Sequence, residues 1–161
     1  MGVEIERKFL VEQIPENISD YVSIESDQGY LGVKNPESVE LRIRRKKRKG
    51  ETTYLLAIKK GNGLQRDEIE IEVTEETYRS IWPKTEGKRI EKIRYEIPYN
   101  KHLIELDIYH GNLEGLLTAE VEFEDVEGSA SFVPPQWFGR EVTEDSRYKN
   151  KNLAIMGMPQ N

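Results

Sequence analysis

The feature that most constrains the fold is an alternation of charged and apolar residues that recurs along most of the chain. In residues 3–11, for example, Glu4, Glu6 and Lys8 alternate with apolar residues. Successive side chains of a β-strand point to opposite faces, so this pattern predicts strands with one charged and one apolar face. The predicted strands cover 3–11, 39–46, 53–60, 66–73, 88–98, 102–109 and 117–124, with a less regular strand over 21–33.

Short segments of other character separate these strands. Thr74 is a typical helix N-cap and predicts a short helix that reaches about Ile81 and ends at Pro83. Residues 61–63 predict a turn, 134–139 an ordered loop and 144–156 a closing helix. About eight strands in largely sequential order, with few helices, predict a mainly β (α+β) fold in one domain over 1–161, either an antiparallel barrel or a sandwich.

Composition excludes several classes of function. The 161 residues include no cysteine and only two histidines, which excludes disulfides and thiolate catalysis and disfavours a His-based zinc site. The formal net charge is −6, whereas a domain that binds nucleic acid usually carries an excess of positive charge. We therefore expect no nucleic-acid partner. The N-terminus has no apolar signal region, and no apolar run reaches the ~20 residues of a membrane helix. We therefore expect a cytoplasmic protein with no membrane partner.

The pattern alone leaves open which face of the sheet meets water. In most antiparallel sheets the polar face is solvated, and that arrangement is favoured here too. The charges, however, come in like pairs two residues apart, and like charges side by side are unfavourable without an opposite charge between them. The carboxylate pairs are Glu4/Glu6, Glu68/Glu70, Glu105/Asp107 and Glu120/Glu122, and the cation pairs are Arg42/Arg44 and Lys92/Arg94.

Both kinds of pair suit a phosphate compound bound together with a metal ion. Paired carboxylates favour a hard divalent cation such as Mg²⁺ or Mn²⁺, and paired Arg and Lys favour phosphoryl oxygens. If the charged face points inward, an eight-stranded barrel has room for one small ligand. The apolar outer face would then need cover from the helices at 74–81 and 144–156 and from the segments around Trp82 and Trp137.

The order of these motifs resembles the CYTH family, also called the triphosphate tunnel metalloenzymes. Residues 4–11 carry the ExExK signature of that family, which is a weak signal by itself. Eight further matches follow in the expected order, and the resemblance covers nearly the whole chain. The further matches are residues 28–31, 40–44, Lys59, 66–70, 91–95, 105–107, 120–123 and 141–150.

The resemblance, which is greatest to the short single-domain bacterial members, implies both a fold and an activity. The implied fold is a closed eight-stranded antiparallel β-barrel, a triphosphate tunnel, with a charged interior that forms the active site. A few helices would pack outside it, with a C-terminal helix last. The implied activity is hydrolysis of a small-molecule triphosphate to orthophosphate and a diphosphate, with Mg²⁺ or Mn²⁺ as cofactor.

The resemblance also implies roles for individual residues. The metal-binding carboxylates would be Glu4, Glu6 and Glu122, with Glu120 and Asp107 as support or as a second metal contact. The implied phosphate-binding cations are Lys8, Arg42, Arg44, Lys59, Lys92 and Arg94. Glu68 and Glu70 would orient those cations or hold water. Lys92 and Tyr30 resemble a Lys–Tyr pair that activates the water, and cationic neighbours are expected to lower the pKa of such a Lys.

Three functions remain open at this point. The first is an inorganic triphosphatase acting on tripolyphosphate. The second is an enzyme for an organic triphosphate, either a nucleoside or thiamine triphosphatase or a class IV-type adenylate cyclase. The third is a non-catalytic polyphosphate or nucleotide sensor. The oligomeric state is open, with a homodimer as one alternative, and the basic run 44–49 is interpreted as a solvated turn.

Overall fold

Strands dominate the computed structural model, which describes residues 2–32, 39–62 and 64–160. The strands are β1 (Gly2–Val11), β2 (Val22–Tyr30), β3 (Val39–Arg48), β4 (Glu51–Asn62), β5 (Gln65–Val73), β6 (Arg89–Tyr99), β7 (His102–His110), β8 (Leu117–Phe123) and β9 (Phe138–Glu141). The α-helices are α1 (Glu75–Ile81), α2 (Val126–Ser131) and α3 (Asn150–Met156). Short 3₁₀ turns occur at Ile18–Asp20, Trp82–Thr85, Gly111–Leu113 and Ser146–Tyr148.

Eight of the strands form a closed antiparallel barrel. Neighbours follow the order β5-β4-β3-β2-β6-β7-β8-β1, and β1 pairs back onto β5. The closing pairing sets residues 2–5 opposite 65–68, while residues 5–10 of β1 pair with β8. The end of β1 also pairs with the short β9. The predicted eight-stranded barrel is confirmed, with one additional strand, and the sandwich alternative is wrong.

The charged face of the sheet points into the barrel. Arg42, Lys92 and Glu120 are 6%, 2% and 8% exposed and line an internal cavity. Apolar residues of the same strands point outward and form a core between the barrel wall and the segments that cover it. This outer core comprises Ile5, Phe9, Ile97, Ile104, Leu106, Ala119, Val121, Phe123, Phe132 and Phe138, with Trp137 packed against it.

The helix α1 and the turn after it pack against the outside of the barrel. Thr74 caps α1 as predicted, because its side chain accepts a hydrogen bond from the Thr77 backbone nitrogen at 3.1 Å. The helical backbone does not end at Pro83. It continues as the 3₁₀ turn Trp82–Thr85, and Pro83 is tolerated because it lies at the start of that turn. Tyr78 stacks on Trp82 with ring centroids 5.2 Å apart.

The C-terminal segment crosses one end of the barrel. Its apolar side chains meet inward-facing aromatic and aliphatic side chains in a second buried cluster, formed by Tyr30, Ile90, Tyr109, Leu113, Leu116, Val142, Tyr148 and Leu153. Side-chain hydrogen bonds help to tie the segment to the wall. Lys8 Nζ donates to the Tyr148 carbonyl oxygen at 2.6 Å, and the Tyr109 hydroxyl donates to Asn150 Oδ1 at 2.6 Å.

The irregular segments differ from the sequence predictions. The closing helix begins only at Asn150, after a 3₁₀ turn, rather than at 144. Residues 134–139 are not all loop, because β9 begins at Phe138. The helix α2 was not predicted, since six residues are too few to show a helical period. None of the helices in the described ranges is long and apolar enough to cross a membrane.

Two strand ends also differ from the predictions. The predicted turn at 61–63 is wrong at its start, because β4 continues through Gly61 and Asn62, which pair with β5. Gly61 has a φ of +116°, a conformation that glycine adopts without strain. Gly63 lies outside the described residues. Strand β2 ends at Tyr30, and Val33, at the end of the predicted strand, is also outside them.

Replacing Gly29 by Ala is expected to destabilise the protein. A Cβ at this position of β2 would lie 2.5 Å from Thr85 Cβ, inside the van der Waals distance. We expect a loss of about 1–3 kcal/mol in the free energy of unfolding, measured by chemical denaturation. Gly2→Ala is the matched control, because no heavy atom of the described chain lies within 4 Å of its added Cβ. Equal stability of the two variants would contradict the close packing of Thr85 on β2.

Candidate active site

The barrel encloses a cavity of about 250 Å³ lined mainly by charged side chains. Each strand contributes residues two apart, because only alternate side chains point inward. The lining includes Glu4, Glu6, Lys8, Tyr30, Arg42, Arg44, Lys59, Glu68, Glu70, Lys92, Arg94, Glu120 and Glu122, which are all of the predicted site residues except one. The exception is Asp107, which is fully buried behind the cavity wall.

Asp107 holds two of the cations in place. Its Oδ2 accepts a hydrogen bond from Lys92 Nζ at 2.7 Å, and its two oxygens accept from Arg94 Nε at 2.7 Å and Arg94 Nη2 at 2.9 Å. Burial would raise the pKa of Asp107, but Arg94 and Lys92 outweigh burial and hold that pKa below its ordinary value. Of the two roles left open for Asp107, this geometry favours support of the cations.

Arg42 and Arg44 on β3 face the acidic pair of β5. Their Nη2 atoms lie 3.2 and 3.0 Å from Glu70 Oε2, and Arg42 Nη2 is 3.8 Å from Glu68 Oε2. The Nε atoms of both arginines are buried and have no hydrogen-bond partner among the described residues. Buried donors are rarely left without acceptors, so these two N–H groups favour an anion in the cavity.

Three of the carboxylates lack enough positive charge around them. Glu6 lies opposite Glu122 in register, and Glu4 is on the same face of β1. Burial, with Glu120 nearby, raises the pKa of Glu6 to about 8. Burial also raises the pKa of Glu4 and of Glu122 above their ordinary values. Crowded carboxylates that tend to hold protons are a donor set that fits a hard divalent cation.

Lys59 is the cation closest to this set. Its Nζ lies 3.1 Å from Glu4 Oε1 and 3.4 Å from Glu68 Oε2. Glu4 Oε1 is buried, yet it has no hydrogen bond within the described chain. Across residues 2–32, 39–62 and 64–160, no three His, Asp or Glu side chains are gathered closely enough to hold a metal ion. The chemistry of the donor set therefore fits a metal ion, and binding one requires the carboxylates to move closer together.

Lys92 has the chemistry of a base near neutral pH. Burial and the neighbouring Arg94 lower its pKa to about 7, against the opposing effect of Asp107. Tyr30 is also buried, which raises its pKa well above the ordinary value, and its hydroxyl accepts a hydrogen bond from Gln28 Nε2 at 2.8 Å. The described part of the chain contains no hydrogen bond between Tyr30 and Lys92.

The cavity also contains charged residues outside the predicted set. Arg66 Nη2 donates to Glu40 Oε1 at 3.1 Å, and both residues are almost fully buried. Each stands two residues before a predicted site residue on its strand, so the alternation contained the signal. Further lining residues are Lys46, Glu96, Glu105, Thr143, Asp145, Tyr148, Lys149 and Asn150. The last five lie between β9 and the first residue of α3, where no strand alternation marks the inward face.

The basic run 44–49 is not a solvated turn over most of its length. It continues β3 to Arg48, and only Lys49 lies in the turn that follows. The alternation divides the run, because Arg44 and Lys46 line the cavity while Arg45 pairs with Asp27 at 3.0 Å. The run therefore does not form one continuous basic surface.

Two bacterial proteins are similar to this chain over most of its length. An inorganic triphosphatase of Nitrosomonas europaea is 44% identical over 154 residues, which cover 94% of this chain and 97% of that protein. An inorganic triphosphatase of Acetivibrio thermocellus is 35% identical over 159 residues, covering 96% of this chain and 94% of that protein. No protein-family model matches the chain.

Solved structures show the same architecture. The crystal structure of an inorganic triphosphatase superposes with a TM-score of 0.71 at 40% identity, covering 99% of each chain. A protein of Pyrococcus horikoshii superposes with a TM-score of 0.56 at 20% identity, covering 83% of this chain and 80% of that one. The second likeness shows the fold alone.

Replacing Glu6 by Gln is expected to stabilise the metal-free protein at neutral pH. The pKa of Glu6 is about 8 in the folded state against an ordinary 4.5, so the folded state holds a proton that the unfolded state releases between these values. Stability therefore falls as the pH rises through this window. Gln does not titrate, so between pH 5 and pH 8 the variant should gain up to about 3 kcal/mol of stability relative to the wild type.

Thermal unfolding in a chelator from pH 5 to 8.5 measures this difference. Glu127→Gln on the exposed surface of α2 is the matched control and should follow the wild-type pH dependence. A Glu6→Gln variant that loses stability with pH as steeply as the wild type would show that Glu6 ionises normally.

Proposed function

The chain belongs to the CYTH family of triphosphate tunnel metalloenzymes, and from this membership we propose that it hydrolyses inorganic triphosphate to diphosphate and orthophosphate with a divalent metal ion. The observation that carries the proposal is that the buried Nε donors of Arg42 and Arg44 have no acceptor among the described residues and face carboxylates across the same cavity. The names of the two bacterial relatives support the inorganic substrate.

The cations of the cavity would bind the phosphate chain. In this proposal the phosphoryl oxygens contact Lys8, Arg42, Arg44, Lys59, Lys92 and Arg94. Glu70 and Asp107 orient four of these cations, so little rearrangement of those side chains is needed when substrate binds. Arg44 and Arg42 would use their unpaired Nε–H groups toward phosphate while keeping Glu70 as a partner.

The crowded carboxylates would hold Mg²⁺ or Mn²⁺. We assign Glu4, Glu6 and Glu122 as ligands and Glu120 as their support. A divalent ion held by these residues would supply neutralisation of phosphate charge and polarisation of a phosphoryl oxygen. Lys59, whose Nζ lies 3.1 Å from Glu4 Oε1, would bind a phosphoryl oxygen beside this carboxylate set.

Lys92 would serve as the general base. Its neutral amine takes a proton from water as the water oxygen bonds to a terminal phosphorus, and the bond from that phosphorus to the bridging oxygen breaks. The products are orthophosphate and diphosphate, and Lys92 carries the proton as an ammonium group beside Asp107. Tyr30 is assigned to positioning at the same end of the cavity, since its pKa is raised rather than lowered.

The wild-type protein is expected to release phosphate from tripolyphosphate faster than from ATP, GTP or thiamine triphosphate with Mg²⁺ or Mn²⁺. The aromatic residues of the described cavity lining, Tyr30 and Tyr148, are almost fully buried and offer no open platform for a base. Phosphate release measures the rates, and cyclic AMP is assayed with ATP. Faster release from ATP than from tripolyphosphate would show that the substrate is an organic triphosphate. Metal-dependent binding without turnover would show that the protein is a sensor.

Replacing Lys92 by Ala is expected to lower kcat about 100-fold or more while KM changes much less, because loss of a general base acts on the chemical step. Arg42→Ala should instead raise KM about 10-fold, since it removes a charged hydrogen bond to substrate. Steady-state kinetics with tripolyphosphate separate the two effects. Lys84→Ala, an exposed lysine of the Trp82–Thr85 turn, is the control. If Lys92→Ala keeps the wild-type kcat, Lys92 is not the base.

A further inference from the structure

Arg7 lies on β1 between Glu6 and Lys8, but it points to the opposite face of the strand, because successive side chains of a strand alternate. Its guanidinium packs on the outer core, with Cζ 5.1 Å from the ring centroid of Phe9 and 5.9 Å from that of Phe132. Arg7 is not among the described residues that line the cavity. Any effect of Arg7 on a ligand in the cavity must therefore pass through another residue.

The guanidinium of Arg7 binds two segments that follow β8 along the chain. Its Nε and Nη2 donate to Oε2 and Oε1 of Glu141 on β9, at 2.9 and 2.7 Å, and its Nη1 donates to the Ser129 carbonyl oxygen at 2.8 Å. The hydrogen bonds from Arg7 hold the pKa of Glu141 below its ordinary value, so the carboxylate stays ionised. Two parallel hydrogen bonds between a guanidinium and a carboxylate fix the directions of both side chains.

The carboxylate of Glu141 in turn orients the hydroxyl of Thr143. Thr143 Oγ1 donates to Glu141 Oε2 at 2.6 Å and accepts from the Lys8 backbone nitrogen at 3.0 Å. A hydroxyl has one proton to donate, so its donation to Glu141 leaves a lone pair for the Lys8 N–H. The Val142 backbone nitrogen also donates to the Lys8 carbonyl oxygen at 2.8 Å. Both backbone groups of Lys8 are therefore held by the residues just after β9.

The same segment also holds the side chain of Lys8. Lys8 Nζ donates to the Tyr148 carbonyl oxygen at 2.6 Å and lies 3.6 Å from Glu120 Oε1. The direction of the ammonium group in the cavity thus depends on where the segment crosses the barrel end. Hydrogen bonds form a continuous path from Arg7 outside the barrel, through Glu141 and Thr143, to Lys8 inside it.

We propose that Arg7 is a positioning residue for Lys8. Through Glu141 and Thr143 it sets the position of the C-terminal segment, and with it the direction in which the Lys8 ammonium group points at substrate. This inference rests on the proposed function, in which Lys8 binds a phosphoryl oxygen. A displaced ammonium group would weaken substrate binding and leave proton transfer to Lys92 unaffected, so loss of Arg7 acts on KM rather than on kcat.

The first test is Arg7→Met in the full-length chain. Arg79→Met is the matched control, because it removes the same group from an exposed ion pair with Glu75 on α1. With tripolyphosphate and Mg²⁺, Arg7→Met is expected to raise KM about 3- to 10-fold and to change kcat less than about 2-fold, whereas Arg79→Met should change neither. Arg7→Lys should recover only part of the loss, since an ammonium group cannot form both parallel bonds to Glu141.

A double-mutant cycle with Lys8→Met tests whether Arg7 acts through Lys8. If it does, adding Arg7→Met to Lys8→Met should change KM less than about 2-fold further. Thr143→Val interrupts the same path without altering Arg7 and should also raise KM, whereas Thr143→Ser keeps the hydroxyl and should not. Thermal unfolding confirms that each variant is folded at the assay temperature, and the Thr143 pair carries the test if Arg7→Met does not fold.

A rise in KM that disappears in the Lys8→Met background supports the inference. An unchanged KM, or the same rise in both backgrounds, overturns it and leaves the proposed function intact. Arg7→Met is also expected to speed exchange of the Lys8 amide hydrogen in the substrate-free protein, and unchanged exchange overturns the inference whatever the substrate is. Failure of the wild type to hydrolyse tripolyphosphate overturns the proposed function instead.

Discussion

A charge withdrawn from water needs a partner of opposite sign, and this requirement organises the whole interior of the barrel. The fully buried carboxylate of Asp107 has two such partners, because it accepts hydrogen bonds from both Lys92 and Arg94. On β5, the carboxylate of Glu70 forms ion pairs with both Arg42 and Arg44. The pairs fix the directions of the cations before any ligand arrives, and fixed charges of this kind do not need to reorganise during a reaction. Where pairing is incomplete, at the Nε atoms of the arginines, the protein has capacity for an anion.

A barrel filled with charge needs its apolar core elsewhere. The outer core around Phe9 and Phe132 lies between the wall and the segments that follow β8, and the second cluster around Tyr109 and Leu153 closes one end. Burial of these apolar surfaces supplies the stabilisation that the interior does not. Most of the apolar burial and most of the charged lining therefore lie on opposite faces of the same strands.

The sequence predicted the strands well because alternation is a local property. It could not decide alone which face pointed inward, since a solvated charged face produces the same pattern, and the family resemblance was needed for that choice. Asp107 lies behind the cavity wall because the pairing of β6 with β7 sets it opposite Arg94, and the sequence alone does not determine the register of that pairing. Thr143, Tyr148 and Lys149 were missed as lining residues for a different reason. They lie in irregular backbone, where only packing against the barrel end determines the direction of a side chain.

Closure of the barrel by β1 has a consequence for how the protein is made. Glu6 and Glu122 face each other in register, yet the six strands β2 to β7 lie between them along the chain. During synthesis, which adds residues at about 5–20 per second, β1 leaves the ribosome long before the β8 strand that completes its pairing. The cations of β3 to β6 emerge while several of the opposing carboxylates are still unmade. A nascent chain that ends before β8 therefore cannot assemble the acidic half of the site, and binding competence arrives late in synthesis.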